Sequence, residues 1–277
     1  MGQTSQAAIA HVHRGDGHPS GGEDVAVRNF DDLVDEASRA PAGAWDFSWL
    51  TGRAVEERPT WRYFERVVDR AATVSTLLDV QAGVGSMIGN LPALPALSVA
   101  TEGFASSVAV AVERLRASRV HLVVTSQTVP GLPFTDGTFE LVISRHPIEV
   151  WWTEIARVLR AGGSYFAQHV GPHSLRSLSE HLMGPLPDAS KRSAEAERRA
   201  AERAGLDVRS MNLEHPRTAF YDIGAVVYLL RLVPWIVPGF TVPRYRDELR
   251  ALHELIEREG GFETSASRTL IEATKPV

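Results

Sequence analysis

Two acids and a glycine-containing turn lie close together in the first half of the chain. Asp79 ends an apolar run, Gly83 and Gly85 follow it, and Glu102 ends the next apolar run. Glycine lets the backbone pass close to a ligand where a Cβ would collide, and a helix that begins after the turn directs free N–H groups towards that ligand. A carboxylate at the end of the second run can accept hydrogen bonds from both hydroxyls of a ribose, as in dinucleotide-binding units. The spacing suits one strand–helix–strand step, so the sequence predicts a ligand site here.

This pattern resembles motifs I and II of the class I S-adenosylmethionine-dependent methyltransferases, in particular those of methyltransferase type 11. Asp79 to Gly85 reads Asp-Val-Gln-Ala-Gly-Val-Gly, against the family's Asp-x-x-x-Gly-x-Gly. The resemblance implies that the turn holds the methionine part of the cofactor S-adenosyl-L-methionine and that Glu102 holds its ribose. The family usually has glycine at the position of Gln81, so this glutamine must either adopt a tolerated backbone conformation or enter the cofactor site. Read alone, the turn also fits an ordinary strand–turn–helix of any α/β protein.

A second stretch carries the same resemblance over a greater length. Residues 128–144 read Thr-Val-Pro-Gly-Leu-Pro-Phe, then Thr-Asp-Gly-Thr, then Phe-Glu-Leu-Val-Ile-Ser, where the family has acid-x-x-x-Leu-Pro-Phe, a turn and Phe-Asp-Leu-Val. Asp136 and Gly137 predict the turn, and Leu141 to Ile143 predict the fourth strand. Thr128 replaces the family's acid that accepts a hydrogen bond from the adenine amino group, and threonine can accept that bond without a charge.

A third stretch, Glu154 to Phe166, resembles the family's helix that ends in Leu-x-Pro-Gly-Gly before the fifth strand. Ala161 stands where proline is usual. Gly162 and Gly163 are predicted to end the helix in conformations that are costly for other residues, which gives them a structural role.

The alternation of elements predicts an α/β fold. With the resemblance, it predicts a Rossmann-like, seven-stranded, mostly parallel sheet with helices on both faces, an N-terminal helical segment and an insertion in the C-terminal half. The last strand, Ser265 to Ala273, is expected to pair antiparallel beside the sixth, Gly205 to Leu213. The predicted divisions are a flexible tail at 1–24, an N-terminal helical cap at 25–72, and a methyltransferase domain at 73–277 with its insertion at about 215–260.

Two histidines are predicted near strand ends, where open parallel sheets bind their ligands. His146 follows Ser144 and Arg145 at the end of the fourth strand, and His169 closes the fifth. An imidazole titrates near neutral pH and could take a proton from a hydroxyl acceptor, so both histidines are candidate catalytic residues. The alternative for each is a histidine that only hydrogen-bonds a loop.

The resemblance carries the cofactor site onto individual positions of this chain. The motifs require no metal, and His11, His13 and His18 fit a solvated tail better than a metal site. The candidate cofactor-binding residues are Asp79, Gln81, Ala82, Gly83, Gly85, Glu102, Gly103, Phe104, Thr128, Val129, Ser144 and Arg145.

Aromatic residues in three segments are candidates for binding a methyl acceptor. In the family, helices before the sheet often cover the cofactor, and insertions before the last strand commonly build the acceptor pocket. Phe220 to Val242 is apolar and aromatic, and Pro234 and Pro238 divide it. Such a lining suits a small organic acceptor, whereas the alternative for each side chain is core packing. The candidate substrate-binding residues are Trp61, Tyr63, Trp151, Trp152, Tyr221, Tyr228 and Trp235.

Composition narrows the class of protein further. The net charge of -5 argues against a nucleic-acid partner, because phosphate binding usually shows as a basic face. The chain has no cysteine, which excludes disulfides, thiolate metal sites and a cysteine nucleophile. No apolar run approaches the about 20 residues of a membrane span, and Met1 to Asp24 has no hydrophobic secretory core. We therefore expect a cytoplasmic enzyme, and the sequence does not predict its oligomeric state.

Three functions remain open at this point. The first is an S-adenosylmethionine-dependent methyltransferase that moves a methyl group to an oxygen, nitrogen or carbon of a small, largely apolar organic acceptor. The second is an RNA or protein methyltransferase, against which the acidic charge and the lack of an added basic domain count. The third is a methyltransferase-fold protein with altered or lost methyl transfer, acting as a binding module or another kind of enzyme. Gln81 and Thr128 motivate the third.

Overall fold

The computed structural model describes residues 29–43, 45–126, 129–187 and 193–277. The tail predicted at 1–24 and Thr128 lie outside the described residues. The described chain divides into two compact units. The first unit holds the described residues up to Glu57, with Leu175–Pro187 and Arg217–Ser265, and the second holds Arg58–Ser174, the described part of 188–216, and Ala266–Val277.

Strands and helices alternate through most of the chain. The strands among the described residues are β1 (Ala54–Glu56), β2 (Thr76–Asp79), β3 (Leu97–Glu102), β4 (Val120–Val124), β5 (Phe139–Arg145), β6 (Leu159–Val170), β7 (Asp207–Glu214), β8 (Arg217–Phe220), β9 (Phe262–Ser265) and β10 (Arg268–Thr274). The helices there are α1 (Phe30–Arg39), α2 (Tyr63–Ala71), α3 (Ser86–Gly89), α4 (Ala105–Leu115), α5 (Trp152–Val158), α6 (Arg176–Met183), α7 (Ala194–Arg203), α8 (Ile223–Leu232) and α9 (Arg246–Glu259).

The second unit is built on a seven-stranded sheet, counted over the described residues, with the order β4-β3-β2-β5-β6-β10-β7. The pairs β3–β4, β2–β3, β2–β5 and β5–β6 are parallel. Strand β10 runs antiparallel between β6 and β7. These pairings confirm the predicted Rossmann-like, mostly parallel sheet, including an antiparallel last strand beside the sixth.

Helices cover both faces of this sheet because successive strand residues point to opposite sides. Leu77 and Ile143 pack in one apolar cluster with side chains of α2, α3 and α4. Leu78 and Val142 pack in another with side chains of α5 and α7. The hydrophobic runs of the central strands are therefore buried on both sides, as in doubly wound folds.

A helix begins directly after Gly85, as predicted, but α3 has only four residues because Pro92 and Pro95 soon follow and cannot continue a helix. The predicted end of the helix before β6 was wrong. Helix α5 ends at Val158, before the two glycines expected to end it. Gly162 and Gly163 lie instead in β6, where a Cβ on Gly163 would lie 2.9 Å from the carbonyl oxygen of Arg160. Gly163 therefore allows close backbone approach, whereas Gly162 has a φ angle of 73°, a conformation that is costly for other residues, as predicted.

The first unit has its own antiparallel sheet, β1-β8-β9, and its own apolar core. Helix α8 is buried at nearly every position, and Arg231 is its main polar residue. The Arg231 guanidinium donates to the carbonyl of Ala40, at 2.9 Å, and to that of Ala37, so it satisfies the C-terminal end of α1. Helix α1 and the segment predicted as an insertion share this unit, whereas α2 packs in the second unit. None of the described helices is long and apolar enough to cross a membrane.

Candidate functional site

The carboxyl ends of three adjacent parallel strands define the candidate site in the second unit. In the pairing register, Asp79 of β2 lies opposite Ala100 of β3 and Ile143 of β5. The segments that leave these strands therefore begin at the same edge of the sheet. This is the position at which open parallel sheets bind ligands.

The turn after β2 has the backbone conformation that glycine favours. Gln81, Gly83 and Gly85 have φ angles of 55°, 58° and 72°. A Cβ on Gly83 would meet nothing within 4 Å, so the backbone there borders open space. A Cβ on Gly85 would lie 2.9 Å from the Cδ1 atom of Leu115, so this glycine lets the turn pack on α4.

Glu102 ends β3 and faces the glycine turn with a buried carboxylate. The N–H of Gly83 donates to its Oε2 atom at 2.7 Å. The N–H groups of Gly103 and Phe104 donate to its Oε1 atom at 2.7 and 2.8 Å. Since a carboxylate oxygen can accept two hydrogen bonds, Oε2 can still accept one from a ligand hydroxyl.

Asp79 is the second buried acid at this edge, with a relative exposure of 1%. Its Oδ2 atom accepts a hydrogen bond from no described residue. Burial, and then the charge of Glu102, raise the pKa of Asp79 to about 8, while the charge of Arg145 acts in the opposite direction. The site thus holds a buried carboxyl oxygen whose hydrogen-bond partner is not supplied by the described protein.

Gln81 uses its side chain to join the glycine turn to the segment after β5. Its Nε2 atom donates to the carbonyl of Glu149 at 2.7 Å, and its Oε1 atom accepts from the N–H of Ile148 at 2.9 Å. Left-handed backbone costs a non-glycine residue about 1–2 kcal/mol, whereas two hydrogen bonds contribute about 0.5–1.5 kcal/mol each. The two effects are of similar size, so the glutamine is tolerated at a position that favours glycine.

His146 follows β5 and is half-buried at the same edge. Its φ angle of 57° takes the chain out of the extended conformation. Its N–H donates to the carbonyl of Gln168 at 2.7 Å, and its Nε2 atom lies 2.8 Å from the side-chain Nε2 atom of Gln168. The Gln168 Oε1 atom accepts from the indole N–H of Trp61 at 2.8 Å. Trp61 and His146 are therefore joined through one buried amide.

His169, the second candidate base, lies inside the fold. Its ring is fully buried, with Nδ1 at 2.9 Å from the Oε2 atom of Glu197 and Nε2 at 2.8 Å from the hydroxyl of Tyr165. The Trp152 ring lies beside it, with ring centroids 5.9 Å apart. His169 is the penultimate residue of β6, but its side chain lies on the sheet face that α5 and α7 cover. This placement favours a structural role.

The remaining cofactor candidates lie at or near the edge. The Ser144 hydroxyl donates to the carbonyl of Val80 at 2.7 Å and ties β5 to β2. The Ala82 N–H donates to the carbonyl of Thr101 at 2.8 Å. Arg145 is half-buried at the end of β5, and Val129 is exposed next to the undescribed Thr128.

The aromatic candidates of the second unit differ in exposure. Tyr63 is buried, and its ring stacks on that of Phe166. Its hydroxyl lies 3.0 Å from the carbonyl oxygens of both Ser144 and Phe166, so Tyr63 stabilises the sheet. Trp151 is buried, and its Nε1 atom has no hydrogen-bond partner in the described chain. Trp151 and Trp152 both line an open cavity of about 330 Å³, with Pro130 and residues of α7.

The other three aromatic candidates belong to the first unit. Tyr228 is a core residue of α8, and its hydroxyl lies 2.9 Å from the carbonyl oxygens of both Pro41 and Asp46. Tyr221 and Trp235 are exposed. The ring centroids of Trp235 and Trp45 are 5.2 Å apart. Of these three, only the exposed pair has the accessibility that a ligand contact needs.

Two features of the site were missed by sequence reasoning. Gln168 is not among the candidate residues predicted from the sequence, although its amide joins Trp61 to His146. Glu197 stands in a run of mixed charges, typical of a solvated helix face, and no signal in that run marks it as the partner of His169. Among the described residues, no three His, Asp or Glu side chains are grouped so that they could hold a metal ion.

A comparison with protein families finds a match within the second unit. Residues 78–167 match a family model described as a methyltransferase domain, and this segment contains the glycine turn, Glu102 and His146. No curated protein sequence matches the chain significantly.

Several solved structures share the fold at low identity. A proposed methyltransferase from Bacillus halodurans is 14% identical with a TM-score of 0.55, over 77% of this chain and 99% of that chain. The YcgJ protein from Bacillus subtilis is 14% identical with a TM-score of 0.54, over 78% and 98%. The 4+2 cyclase SpnF is 17% identical with a TM-score of 0.50, over 89% and 92%. At such identities the likeness concerns the fold alone.

Proposed function

The segment from residue 78 to residue 167 is a methyltransferase domain of the class I S-adenosylmethionine-dependent family, and from this premise we propose that the chain transfers a methyl group from S-adenosyl-L-methionine to a small, largely apolar organic acceptor. One observation carries the proposal. Glu102 reaches the N–H groups of Gly83 on one side and of Gly103 and Phe104 on the other. The acid and the glycine turn thus face each other at one edge of the sheet.

The groups present at this edge fit the cofactor. Gly83 borders open space, so the backbone can approach a ligand there. Glu102 retains acceptor capacity for a ribose hydroxyl, and the buried Oδ2 atom of Asp79 has no protein partner in the described chain. The carboxylate of Glu102 also suits a ligand that carries a sulfonium and an ammonium group, and such positive charges would favour the ionised form of Asp79.

Each candidate residue then has a defined task. When bound, S-adenosyl-L-methionine supplies a methyl group already activated on a sulfonium sulfur. Glu102 holds the ribose, Gly83 allows close backbone approach to the cofactor, and Gly85 lets the turn pack on α4. The segment after β5, including His146, faces the acceptor and aligns it, which is the main contribution that methyl transfer needs from a protein.

The acceptor is proposed to be apolar because aromatic residues line a cavity in one unit and are exposed in the other. Trp151 and Trp152 line an open cavity in the second unit, while Tyr221 and Trp235 are exposed in the first unit. Sites for small organic molecules are lined mainly by apolar and aromatic side chains with a few polar groups. The net charge of -5 disfavours an RNA acceptor, which would need a basic face.

The test combines binding with turnover on the full chain. Calorimetric titration with S-adenosylhomocysteine should give saturable binding. Incubation with S-adenosyl-L-methionine and a panel of small phenols, amines and carbon acids should release S-adenosylhomocysteine for at least one acceptor class. A structured RNA and a peptide mixture serve as comparison acceptors, and turnover only with one of these would contradict the proposed acceptor class.

A second candidate is a protein of this fold that does not transfer methyl groups. The side chain of Gln81 bonds to Ile148 and Glu149 at the place where the family usually has a bare glycine. A cyclase is among the proteins that share the fold. This candidate predicts that small molecules bind or react without consumption of S-adenosyl-L-methionine, which the same acceptor panel measures when product formation is followed with and without the cofactor.

A further inference from the structure

A three-residue hydrogen-bond chain crosses the sheet edge beside the candidate site. The Trp61 indole N–H donates to the Gln168 Oε1 atom at 2.8 Å, and the other end of the same amide lies 2.8 Å from the Nε2 atom of His146. The backbone of Gln168 also accepts from the His146 N–H at 2.7 Å. Gln168 is buried, with a relative exposure of 4%, so water does not compete for its amide.

The order of donors and acceptors along this chain is fixed by Trp61. An indole nitrogen can only donate, so the atom of Gln168 that faces it must be the oxygen. The amide NH₂ group then faces His146 and donates. The imidazole Nε2 atom must accept, and a neutral imidazole that accepts at Nε2 carries its proton on Nδ1.

We propose that Trp61 and Gln168 are positioning residues that hold His146 as the neutral tautomer protonated on Nδ1. The opposite tautomer would set an N–H of His146 against the NH₂ of Gln168. Flipping the amide would relieve that conflict only by setting the NH₂ against the indole N–H of Trp61. A buried donor left without an acceptor costs about 1–3 kcal/mol, so either alternative is disfavoured by a factor of roughly 5 or more.

This tautomer changes the task of His146 in the proposed reaction. The Nε2 lone pair is already used by Gln168, and Nδ1 carries a proton. Neither ring nitrogen of this tautomer then offers a lone pair that could take a proton from an acceptor molecule, so His146 acts in the proposed reaction by its position and not as a general base. This consequence for methyl transfer rests on the proposed function, whereas the tautomer itself does not.

The direct test is the nitrogen NMR spectrum of His146. Long-range proton–nitrogen correlations on the full chain with ¹⁵N-labelled histidine distinguish protonated from bare ring nitrogens, at about pH 8, above the ordinary histidine pKa of about 6.5. The spectrum of a His146→Gln variant identifies the signals by their loss. We expect the Nδ1 signal to be that of a protonated ring nitrogen and the Nε2 signal to be that of an unprotonated one. An Nε2 signal typical of a protonated nitrogen in the parent chain would overturn the proposal.

Two substitutions sharpen the test. Gln168→Glu presents acceptor oxygens to both neighbours, so Nε2 of His146 should become the protonated nitrogen, a reversal that a purely structural role would not produce. Trp61→Phe keeps a ring but removes the N–H, so the Gln168 amide can flip and a mixture of tautomers should appear. Unchanged His146 signals in both folded variants would overturn the proposal.

Trp151→Phe is the matched control, since it removes an indole N–H that has no partner in the described chain. It should leave the His146 signals unchanged. Melting temperatures identify any variant that has lost its fold, and the parent spectrum decides the question even if Gln168→Glu does not fold. The NMR experiment needs no cofactor, so failure of S-adenosylhomocysteine to bind would contradict the proposed function without affecting the tautomer.

Discussion

Two histidines follow paired positions on neighbouring strands, yet only one reaches the candidate site. Arg145 of β5 pairs with Gln168 of β6, and His146 and His169 each come one residue later. His169 remains within the extended strand and points into the helix-covered face, where Tyr165 and Glu197 enclose it. His146 has left the extended conformation and stays half-buried at the edge.

The contrast shows what decides whether a residue near the end of a strand is buried in the core or lies at the candidate site. Within a strand, alternation assigns each side chain to one face, and a face covered by helices buries it. A left-handed residue at the end of the strand interrupts that alternation. The same residue type therefore supports packing in one place and lies at a ligand edge in the other, so substitutions in the two regions should affect different properties.

We expect the largest effect from Glu197→Ala, which removes the buried contact between Glu197 and His169. Removing the carboxylate leaves the fully buried Nδ1 atom of His169 without its partner, which should lower the free energy of unfolding by about 3 kcal/mol. Urea unfolding measures this loss. Glu195→Ala, in the same helix but exposed, should change stability by less than about 0.5 kcal/mol. Weakened cofactor affinity in a folded Glu197→Ala variant, with stability unchanged, would reverse the assignment of the two regions.

Glu102→Ala should act mainly on the ligand edge. A charge-assisted bond to ribose hydroxyls contributes about 1.5–3 kcal/mol, so affinity for S-adenosylhomocysteine should fall at least about tenfold. Calorimetric titration measures it. Glu113→Ala removes an exposed carboxylate of α4 and should leave affinity unchanged. Equal affinity of Glu102→Ala and the parent chain would remove the ribose role from Glu102.

Asp79→Asn should change how stability depends on pH. The folded-state pKa of Asp79, about 8, lies above its ordinary value of 3.8, so the folded chain holds a proton that the unfolded chain releases. Stability from this group is fully present below about pH 4 and is lost as the pH rises through about 8. Asparagine removes that loss, so the melting temperature of the variant relative to the parent should rise between about pH 5 and about pH 8.

The matched control for this comparison is Asp69→Asn, which neutralises an exposed carboxylate of α2. Its melting temperature relative to the parent should stay constant across the same pH range. A constant difference for Asp79→Asn as well would show that Asp79 is already ionised in the folded chain at neutral pH.

Gln81→Gly should have the smallest effect. Glycine removes the left-handed strain of about 1–2 kcal/mol but loses two hydrogen bonds and adds unfolded-state entropy of about 0.4–1 kcal/mol. Stability and cofactor affinity should both stay within about 1 kcal/mol of the parent, or about fivefold in affinity. The same titration and urea unfolding measure both. If the variant binds S-adenosylhomocysteine and the parent chain does not, the glutamine blocks the site.

Much of the fold could be predicted because the apolar runs, turns and motif spacings are local. The alternating strands and helices and the position of Glu102 at the end of β3 follow from those patterns. The short α3 also carried a local signal, since Pro92 and Pro95 stand where a helix would continue.

The contacts of individual site residues could not be predicted in the same way. Gln81 reaches Ile148 and Glu149, which are distant in sequence, and no local pattern specifies such a side-chain path. His169 and Tyr228 are polar-tipped residues whose burial depends on distant partners, Glu197 for one and the carbonyls of Pro41 and Asp46 for the other. Neither partner can be identified from spacing.

We propose that the edge formed by β2, β3 and β5 binds S-adenosyl-L-methionine with Gln81 in place. This binding can be measured by titrating the parent chain, Gln81→Gly and Glu102→Ala with S-adenosylhomocysteine. We expect saturable one-to-one binding by the parent, similar binding by Gln81→Gly and at least about tenfold weaker binding by Glu102→Ala. A folded parent chain that does not bind, beside a Gln81→Gly variant that does, would contradict it.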